Sequence, residues 1–512
     1  MQMKRMLHVS ILAMAVSGAM LLSGCATHSD RLGFADNEGS KTYAQAYEPA
    51  RNMLLQGQWD QIRDKLLENS SKEVKENVQD TDNEVRQTVR TEKLSDDEEM
   101  ERLIKEQSEL SLIERGLLTL NVGDFERALF YFDAAEEKLG LSESDTSAAS
   151  AASKHGKSGI AVLLGTEELA NYELRGYEKV MLLNYKALCY MLMGDRKAYN
   201  VTRRAIDLQQ EEWEKFKTLL AENQREQNDL DARAPSRASA DSMSVSTVDD
   251  RPDEIRRKAG LVASAYVNPF ADYLNAMMME IDGFDDPTMR QNAKIAYRKV
   301  LENNRDCTTA RSAVRNVERG LGRNEKLVQI ILSDGFSPYQ SEQTKVFPIP
   351  VDDRVIKAVV NYSNATPVPT ETAAAKIRGN GKTTRLSSLT KMESLILRDE
   401  QDRLPMRATM FTLALLRSAT SGAFLGDLGS ALMGSIQHPD TRSWLTLPNQ
   451  VFVARVSVPK NQKSLKLQTF DATGQPLAST DVRLAKNGPT VVYAVSYDRN
   501  IRAYANAFSW VD

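Results

Sequence analysis

The stretch that decides the fold is ELSLIERGLLTLNVGDFERALFYFDAAEEKL, residues 109–139. Apolar residues recur every three or four positions on both sides of Gly123, which predicts two amphipathic helices joined by a short turn. Gly123 permits the left-handed backbone that ends a helix. Gly116 and Ala128 lack bulk, so we expect the two helices to approach most closely there, with Phe132 filling the gap to the next pair. The stretch therefore predicts a helical hairpin.

The spacing of six residues in this hairpin resembles that of a tetratricopeptide repeat. These residues are Gly116, Gly123, Phe125, Ala128, Phe132 and Ala135. Two weaker copies flank the hairpin, Tyr43–Leu67 around Gly57 and Val180–Ile206 around Gly194, and a fourth hairpin is expected in 270–303. Such hairpins need neighbours to bury their apolar faces. We predict an α-helical tetratricopeptide-like solenoid over residues 41–325, with a generic helical stack as the alternative.

One helix of the hairpin carries an apolar stripe that could bind a partner. The stripe consists of Leu110, Ile113, Leu117 and Leu120. In a repeat these positions face the concave surface, where an amphipathic partner helix could lie. The simpler interpretation is that another part of the same chain covers the stripe as core. The sequence leaves both interpretations open.

Three polar stretches interrupt the helical pattern. Glu68–Glu99 is highly charged and predicts a solvated helix or a mobile excursion. Residues 140–159 are rich in Ser and Ala, and residues 223–257 are polar with two prolines. Because such composition buries little apolar surface, we expect disordered excursions near 140–159 and 223–257.

Beyond residue 325 the pattern changes to strands. Runs rich in Val and Ile begin with LVQIILS, residues 327–333, and end with IRAYANAFSW, residues 501–510, with hairpin turn signals between them. They predict a β-rich, antiparallel, sandwich-like domain over 326–512 with a helical insert near 390–436. Pro348 and Pro350 should place their strand at an edge. The chain as a whole is thus expected to be an α+β multidomain protein.

Composition argues for binding rather than chemistry. The 512 residues carry a formal charge of −4, with three Cys and four His. A near-neutral balance lacks the basic excess of a nucleic-acid binder. We expect no catalytic residue, no metal site and no cofactor. The sequence RGNGKTTR, residues 378–385, resembles the end of a phosphate-binding loop but lacks its first glycine. We interpret it as a basic, flexible turn. Cys189 and Cys307 could form a disulfide, or each could pack as a small buried hydrophobe.

The first residues predict export and lipidation. Two basic residues precede an apolar run that ends in Leu22-Ser23-Gly24-Cys25. This pattern is typical of a secretory signal, residues 1–24, and Ser23-Gly24-Cys25 resembles the bacterial lipobox. The resemblance implies cleavage between Gly24 and Cys25, acylation of Cys25 and a lipidated tether over 25–40. Ala26, rather than Asp, implies sorting to the outer membrane.

The whole arrangement resembles an uncharacterised group of proteobacterial envelope lipoproteins. These combine a lipobox, tetratricopeptide-like helices and a β-rich part with a segment like DTRSWLTLPNQVFVARVSVP, residues 440–459 here. More loosely, the architecture is similar to helical lipoproteins that activate peptidoglycan synthases. The group has no established activity to carry over. The anchor, the repeats and the lack of a reactive constellation predict a non-enzymatic scaffold, anchored at Cys25 in the outer membrane and facing the periplasm, that holds envelope proteins. The alternative is a peptidoglycan or glycan binder acting through the β-rich part. A hydrolase with dispersed carboxylates is a third class.

Overall fold

The structure is a computed structural model that describes residues 43–68, 71–79, 85–93, 95–141, 172–233, 245–283, 286–351, 354–419, 439–486 and 488–508. Some predictions fall on residues outside these ranges. They are the signal peptide 1–24 with its cleavage residue Gly24, the lipidation residue Cys25, the tether 25–40, most of the 140–159 stretch and the 420–436 part of the insert. They stay predictions.

Helices fill most of the described chain before residue 320. Their bounds are α1 Tyr43–Leu55, α2 Trp59–Glu68, α3 Asp96–Glu106, α4 Glu109–Val122, α5 Phe125–Leu139, α6 Gly176–Met193, α7 Ala198–Arg233, α8 Val245–Val248, α9 Asp253–Ala259, α10 Pro269–Asp282, α11 Pro287–Asn303 and α12 Thr308–Asn316. Local signals set several helix ends. Ser95 and Glu98 form a capping box at α3, and the Asp124 side chain caps α5 by accepting from the Arg127 amide.

Strands dominate the remainder, so the fold is mixed helix and sheet. The bounds are β1 Ser71–Gln79, β2 Val85–Lys93, β3 Glu325–Asp334, β4 Tyr339–Val351, β5 Arg354–Thr366, β6 Ala374–Gly379, β7 Lys382–Arg385, β8 Ser387–Lys391, β9 Gln450–Pro459, β10 Ser464–Phe470, β11 Pro476–Arg483, β12 Thr490–Tyr497 and β13 Asn500–Ala507, with helices α13 Met392–Asp402 and α14 Leu404–Ala419 between β8 and β9. One sheet has the order β13-β12-β3-β9-β8, another β11-β10-β6-β7, and β1–β2 and β4–β5 are two-stranded ribbons.

The five-stranded sheet is covered on both faces. Alternate residues such as Ile331, Val453 and Tyr493 join the large core formed with the helices. The residues between them, such as Ile330 and Val492, form a second core with the inner face of the four-stranded sheet. Strands buried on both faces read as continuous apolar runs, which is why β3 and β12 are recognisable in the sequence. The layers are therefore helices, the five-stranded sheet and the four-stranded sheet.

Four expectations about individual segments are wrong. Glu68–Glu99 contains the ribbon β1–β2 and helix α3 instead of one solvated helix or excursion. Within 223–257, α7 continues to Arg233 and α8 and α9 follow, with side chains such as Val248 fully buried, so the described part is helical; residues 234–244 lie outside the described ranges, and there the expectation stays a prediction. Residues 378–385 belong to the β6–β7 hairpin, whose turn has two left-handed residues, Asn380 and Gly381. The predicted all-antiparallel pairing fails at β3 and β12, which pair in parallel.

The insert after β8 contains another apolar stretch of the chain. Helices α13 and α14 occupy its described part, and Phe411 of α14 is fully buried against Tyr362 of β5. Among the described residues, no helix has both the length and the apolar composition that a membrane span requires.

Candidate functional site

Helix α4 carries a carboxylate in its most apolar part. Glu114 is fully buried, and its two oxygens accept hydrogen bonds from the amides of Leu445 and Thr446 at 2.6 and 3.0 Å and from the Thr446 hydroxyl. Burial raises the pKa of Glu114 to about 8, although these hydrogen bonds act in the opposite direction. The carboxyl group therefore binds the backbone of a segment more than 300 residues away in sequence.

Helix α6 contributes a second buried carboxylate to the same segment. Glu178 accepts from the Trp444 amide at 3.0 Å, from the Tyr172 hydroxyl at 2.8 Å and from the Arg175 amide at 2.8 Å. Burial raises the pKa of Glu178 as well. Three successive amides, those of residues 444, 445 and 446, thus donate to two glutamates on two different helices.

The segment Thr441–Thr446, which we call the bound segment, is fixed by its side chains too. Trp444 is 1% exposed; its ring lies 5.9 Å from that of Tyr185 in an edge-on arrangement, and its indole N–H donates to the Thr446 hydroxyl at 3.0 Å. Arg442 pairs with Asp440 at the start of the segment. The bound segment lies within the sequence 440–459 that carries the lipoprotein resemblance, and here it connects α4, α6 and the start of β9.

The four residues of the predicted partner groove are buried inside the protein. Leu110, Ile113, Leu117 and Leu120 are each at most 1% exposed and belong to the main core. Helices α2, α5 and α6 of the same chain pack against α4, and the stripe is buried in the core, so it presents no open surface to a partner helix. The open-groove interpretation is wrong, and the core interpretation describes these four residues.

The two glutamates also bear on the hydrolase hypothesis. A glycosidase pair needs its two carboxyl groups on either side of a substrate cleft. Both Glu114 and Glu178 are fully buried, and the donors on their oxygens come from the same chain. This pair therefore has a positioning role in the fold. Among the described residues, no group of three or more His, Cys, Asp or Glu side chains is arranged to hold a metal ion.

The helical hairpin α4–α5 has close packing at the positions where small residues were expected. A Cβ atom at Gly116 would lie 2.5 Å from a ring carbon of Phe132, so only glycine fits there. Ala128, Phe132 and Ala135 are fully buried. Phe132 in turn stacks on Tyr185 of α6, with ring centroids 6.5 Å apart. Phe132 thus fills the space between α4–α5 and the next helix.

The three turn glycines lie in a row along the last strand. Gly57, Gly123 and Gly194 all have positive φ, 70°, 92° and 75°. In each turn the carbonyl two residues before the glycine accepts a hydrogen bond from a side chain of β13. The donors are the Asn500 amide to Leu55, the Tyr504 hydroxyl to Asn121 at 3.0 Å, and the Asn506 amide to Leu192. The three helix ends are therefore equivalent, and one strand caps them all.

Further buried polar contacts join helices to the central sheet. Arg455 of β9 forms a bidentate ion pair with Glu280 of α10, and both side chains are less than 10% exposed. The Tyr297 hydroxyl and the Gln329 amide also donate to Glu280, at 2.9 Å each. Since breaking a buried pair is costly, these contacts fix the helices on the sheet.

Cys189 and Cys307 do not form the disulfide that was considered. Both are free and buried. Cys189 lies inside α6, and burial raises the pKa of its thiol above the usual range. Cys307 is the N-cap residue of α12, where its sulfur accepts from the Ala310 amide at 3.5 Å. Each sulfur has a local packing role, which is the alternative interpretation of the sequence.

The ribbon β4–β5 offers an exposed surface. Val346 and Val359 are directly paired across the two strands and are 51% and 54% exposed. In the part of the chain that the structure describes, neither strand pairs with a third. At the base of the ribbon, Arg407 of α14 donates to the Ser363 carbonyl at 2.9 Å, so the outer edge of β5 is occupied there.

Prolines distinguish the two edges of this ribbon. In an antiparallel pair, residues alternate between those bonded to the partner strand and those whose N–H and C=O point outward. Pro348 pairs with Lys357 and Pro350 with Val355. Proline has no N–H to donate, so it fits at outward positions, and the outer edge of β4 lacks donors there. The same register makes the backbone groups of Lys357 and Val359 point outward from β5, as those of Ser363 do.

Sequence reasoning missed Glu114 and Glu178 because carboxylates on helices are usually solvated. A signal was present: Glu114 lies in SLIERGLL, where apolar residues occur on every side of the helix, so a charged group had no solvated face available.

Comparison with protein-family models, curated proteins and solved structures gives no match for this chain.

Proposed function

We propose that this protein is a lipid-anchored scaffold of the cell envelope, attached to the outer membrane through Cys25, that holds another envelope protein. The helical part is proposed to be a tetratricopeptide-like stack, which the equivalent turns at Gly57, Gly123 and Gly194 support. The part after residue 325 is proposed to be sandwich-like, which the core shared by its two larger sheets supports. The lipobox sequence supports the anchor.

One observation carries the binding role, namely the outward edge of β5. Unpaired strand edges bind other strands, and proteins that must avoid this place prolines on them. The ribbon has prolines on β4, but β5 has none over Arg354–Thr366. The exposed pair Val346–Val359 lies beside this edge and adds apolar surface. The partner is therefore expected to add an extended strand to β5.

The edge can be tested without disturbing the ribbon itself. Val359→Pro removes an outward N–H from β5 and leaves the hydrogen bonds to β4 in place, because residue 359 is at an outward position. Val346→Pro makes the same change on the outer edge of β4. A photo-crosslinking residue at position 361, the next outward position of β5, should capture an envelope protein in cells, and a crosslinker at exposed Leu261 on another surface should not.

The outcome that supports the proposal is loss of the captured protein in Val359→Pro and its retention in Val346→Pro. Equal capture in both variants, or no adduct at position 361, would contradict binding at this edge. The anchor is tested separately by mass spectrometry, which should find acyl chains on Cys25. A chain that retains residues 1–24 or carries an unmodified Cys25 would refute the anchor.

A further inference from the structure

The four-stranded sheet has a cationic outer face. Its inner side chains, among them Leu465, Leu467, Ile377 and Val482, are buried against the five-stranded sheet. The intervening residues therefore point away from the protein, because side chains alternate along a strand. Five of these are cations, namely Lys376, Arg378, Arg385, Lys466 and Arg483. Asp481 is the one carboxylate in the four strands.

Strand register brings these cations side by side. Lys466 of β10 pairs directly with Arg378 of β6, and Lys376 of β6 pairs with Arg385 of β7. Neighbouring strands are about 4.8 Å apart, so the sheet holds like charges close together. Directly opposed like charges destabilise a sheet. Asp481 of β11 lies directly opposite Lys466 on its other side and offsets part of this repulsion. The rest costs folding stability, and a bound anion would remove that cost.

The surroundings of the cations are polar and open. Lys466, Arg378, Arg385 and Arg483 are all exposed, and the neighbouring outward positions carry Ser, Thr and Gln. Lys376 lies over the Phe470 ring at 4.3 Å, which keeps that ring covered. The protein carries a net charge of −4, so this face has the opposite sign to the whole. An open sheet surface of about 14 Å across its four strands fits a planar array of anions better than a single small ligand.

We propose that this outer face docks on an anionic membrane surface, with lipid phosphates against the cations. The inference rests on the proposed lipid anchor, because a tether at Cys25 keeps the face near a bilayer. Cationic side chains near an anionic surface each strengthen binding about fivefold. Lipid chains and a basic patch are the combination that holds peripheral proteins firmly at a membrane. The partner here is the headgroup layer, and no apolar insertion is involved.

The test uses a chain that begins at residue 26, which has no lipid and keeps every residue that the structure describes. Its binding is measured by sedimentation with vesicles of phosphatidylcholine alone and of phosphatidylcholine with phosphatidylglycerol. The anionic vesicles should bind it, the neutral ones should not, and added salt should reverse the binding. The double variant Lys466→Gln/Arg378→Gln should bind roughly 25-fold more weakly.

A matched control removes two exposed cations elsewhere. Lys197→Gln/Arg203→Gln makes the same change in net charge near the start of α7 and should bind anionic vesicles as the unchanged chain does. Equal weakening of both double variants, or no binding of anionic vesicles at low salt, would overturn the inference. Binding to purified sacculi with no binding to anionic vesicles would also overturn it, and would favour peptidoglycan as the ligand. None of these outcomes depends on acylation of Cys25, which is measured on the full chain.

Discussion

Replacing Gly123 by alanine tests whether the last strand really fixes the helix ends. Gly123 has φ of 92°, a backbone conformation that costs an L-residue about 1–2 kcal/mol. A Cβ atom at this position would also lie 2.7 Å from Cζ of Tyr504 and closer still to its neighbour Cε1. Tyr504 is held by its hydrogen bond to the Asn121 carbonyl and by edge-on packing against Phe125, so its ring cannot move freely. Overpacking of this kind costs about 1–3 kcal/mol.

The expected loss for Gly123→Ala is therefore about 2–5 kcal/mol in the free energy of unfolding. Gly381→Ala is the matched control: its φ is 73°, but nothing lies within 4 Å of the added Cβ atom, so only the backbone cost of about 1–2 kcal/mol remains. Urea denaturation followed by far-UV circular dichroism measures both. The difference between the two variants reports the contact with Tyr504.

A double variant separates the clash from a general weakness of the turn. In a Tyr504→Ala background the clash is absent, so Gly123→Ala should cost no more there than Gly381→Ala does. Equal midpoints for Gly123→Ala and Gly381→Ala in the unchanged background would refute the reasoning. They would mean that β13 does not contact this turn.

Three further predictions concern buried groups. Burial raises the pKa of Glu114 from its ordinary value of 4.5 to about 8, so between these values the folded protein holds a proton that the unfolded chain releases. Stability should therefore fall as pH rises from about 5 to about 8, and Glu114→Gln should reduce this slope in urea midpoints. Arg455→Met leaves the buried carboxylate of Glu280 unpaired and should lower the free energy of unfolding by about 3–5 kcal/mol. Arg502→Met removes a surface ion pair with Asp60 and should lower it by less than about 1 kcal/mol. Equal losses for the two variants would contradict a buried ion pair at Arg455. The buried thiols of Cys189 and Cys307 should not react with a thiol reagent in the folded protein, and both should react in denaturant without a reductant. Failure to react in denaturant would indicate a disulfide.

The predictable parts of the fold are those whose local sequence agrees with their final surroundings. The run 327–333 is apolar throughout because β3 is covered on both faces, and the Gly123 turn is recognisable because its backbone needs glycine. Strands β6 and β7 were missed because one side of their sheet is cationic, so the sequence RGNGKTTR looks like a loop. Parallel pairing of β3 with β12 joins residues more than 150 positions apart, and no local pattern encodes it.

In the candidate sites too, features set by local sequence could be predicted, and features that depend on distant residues could not. The apolar stripe beginning at Leu110 could be located from the sequence. The partner of Glu114 on the same helix could not, because the bound segment comes from beyond residue 440. The free edge of β5 could be anticipated only in part. Pro348 and Pro350 indicate an edge strand, whereas the outward direction of Val359 depends on the register with β4.

The row of helix ends along β13 has a consequence for how the chain reaches its final state. The Asn500 amide caps the helix that ends at Leu55, a contact spanning 445 residues. During synthesis β13 is made after the helices that end before Gly57, Gly123 and Gly194. These helix ends therefore cannot form their hydrogen bonds to β13, and the helices cannot complete their packing, while the chain is still being made. Contacts of such long range slow folding. Loss of only the last strand should therefore leave the helices at the opposite end of the chain open to proteases.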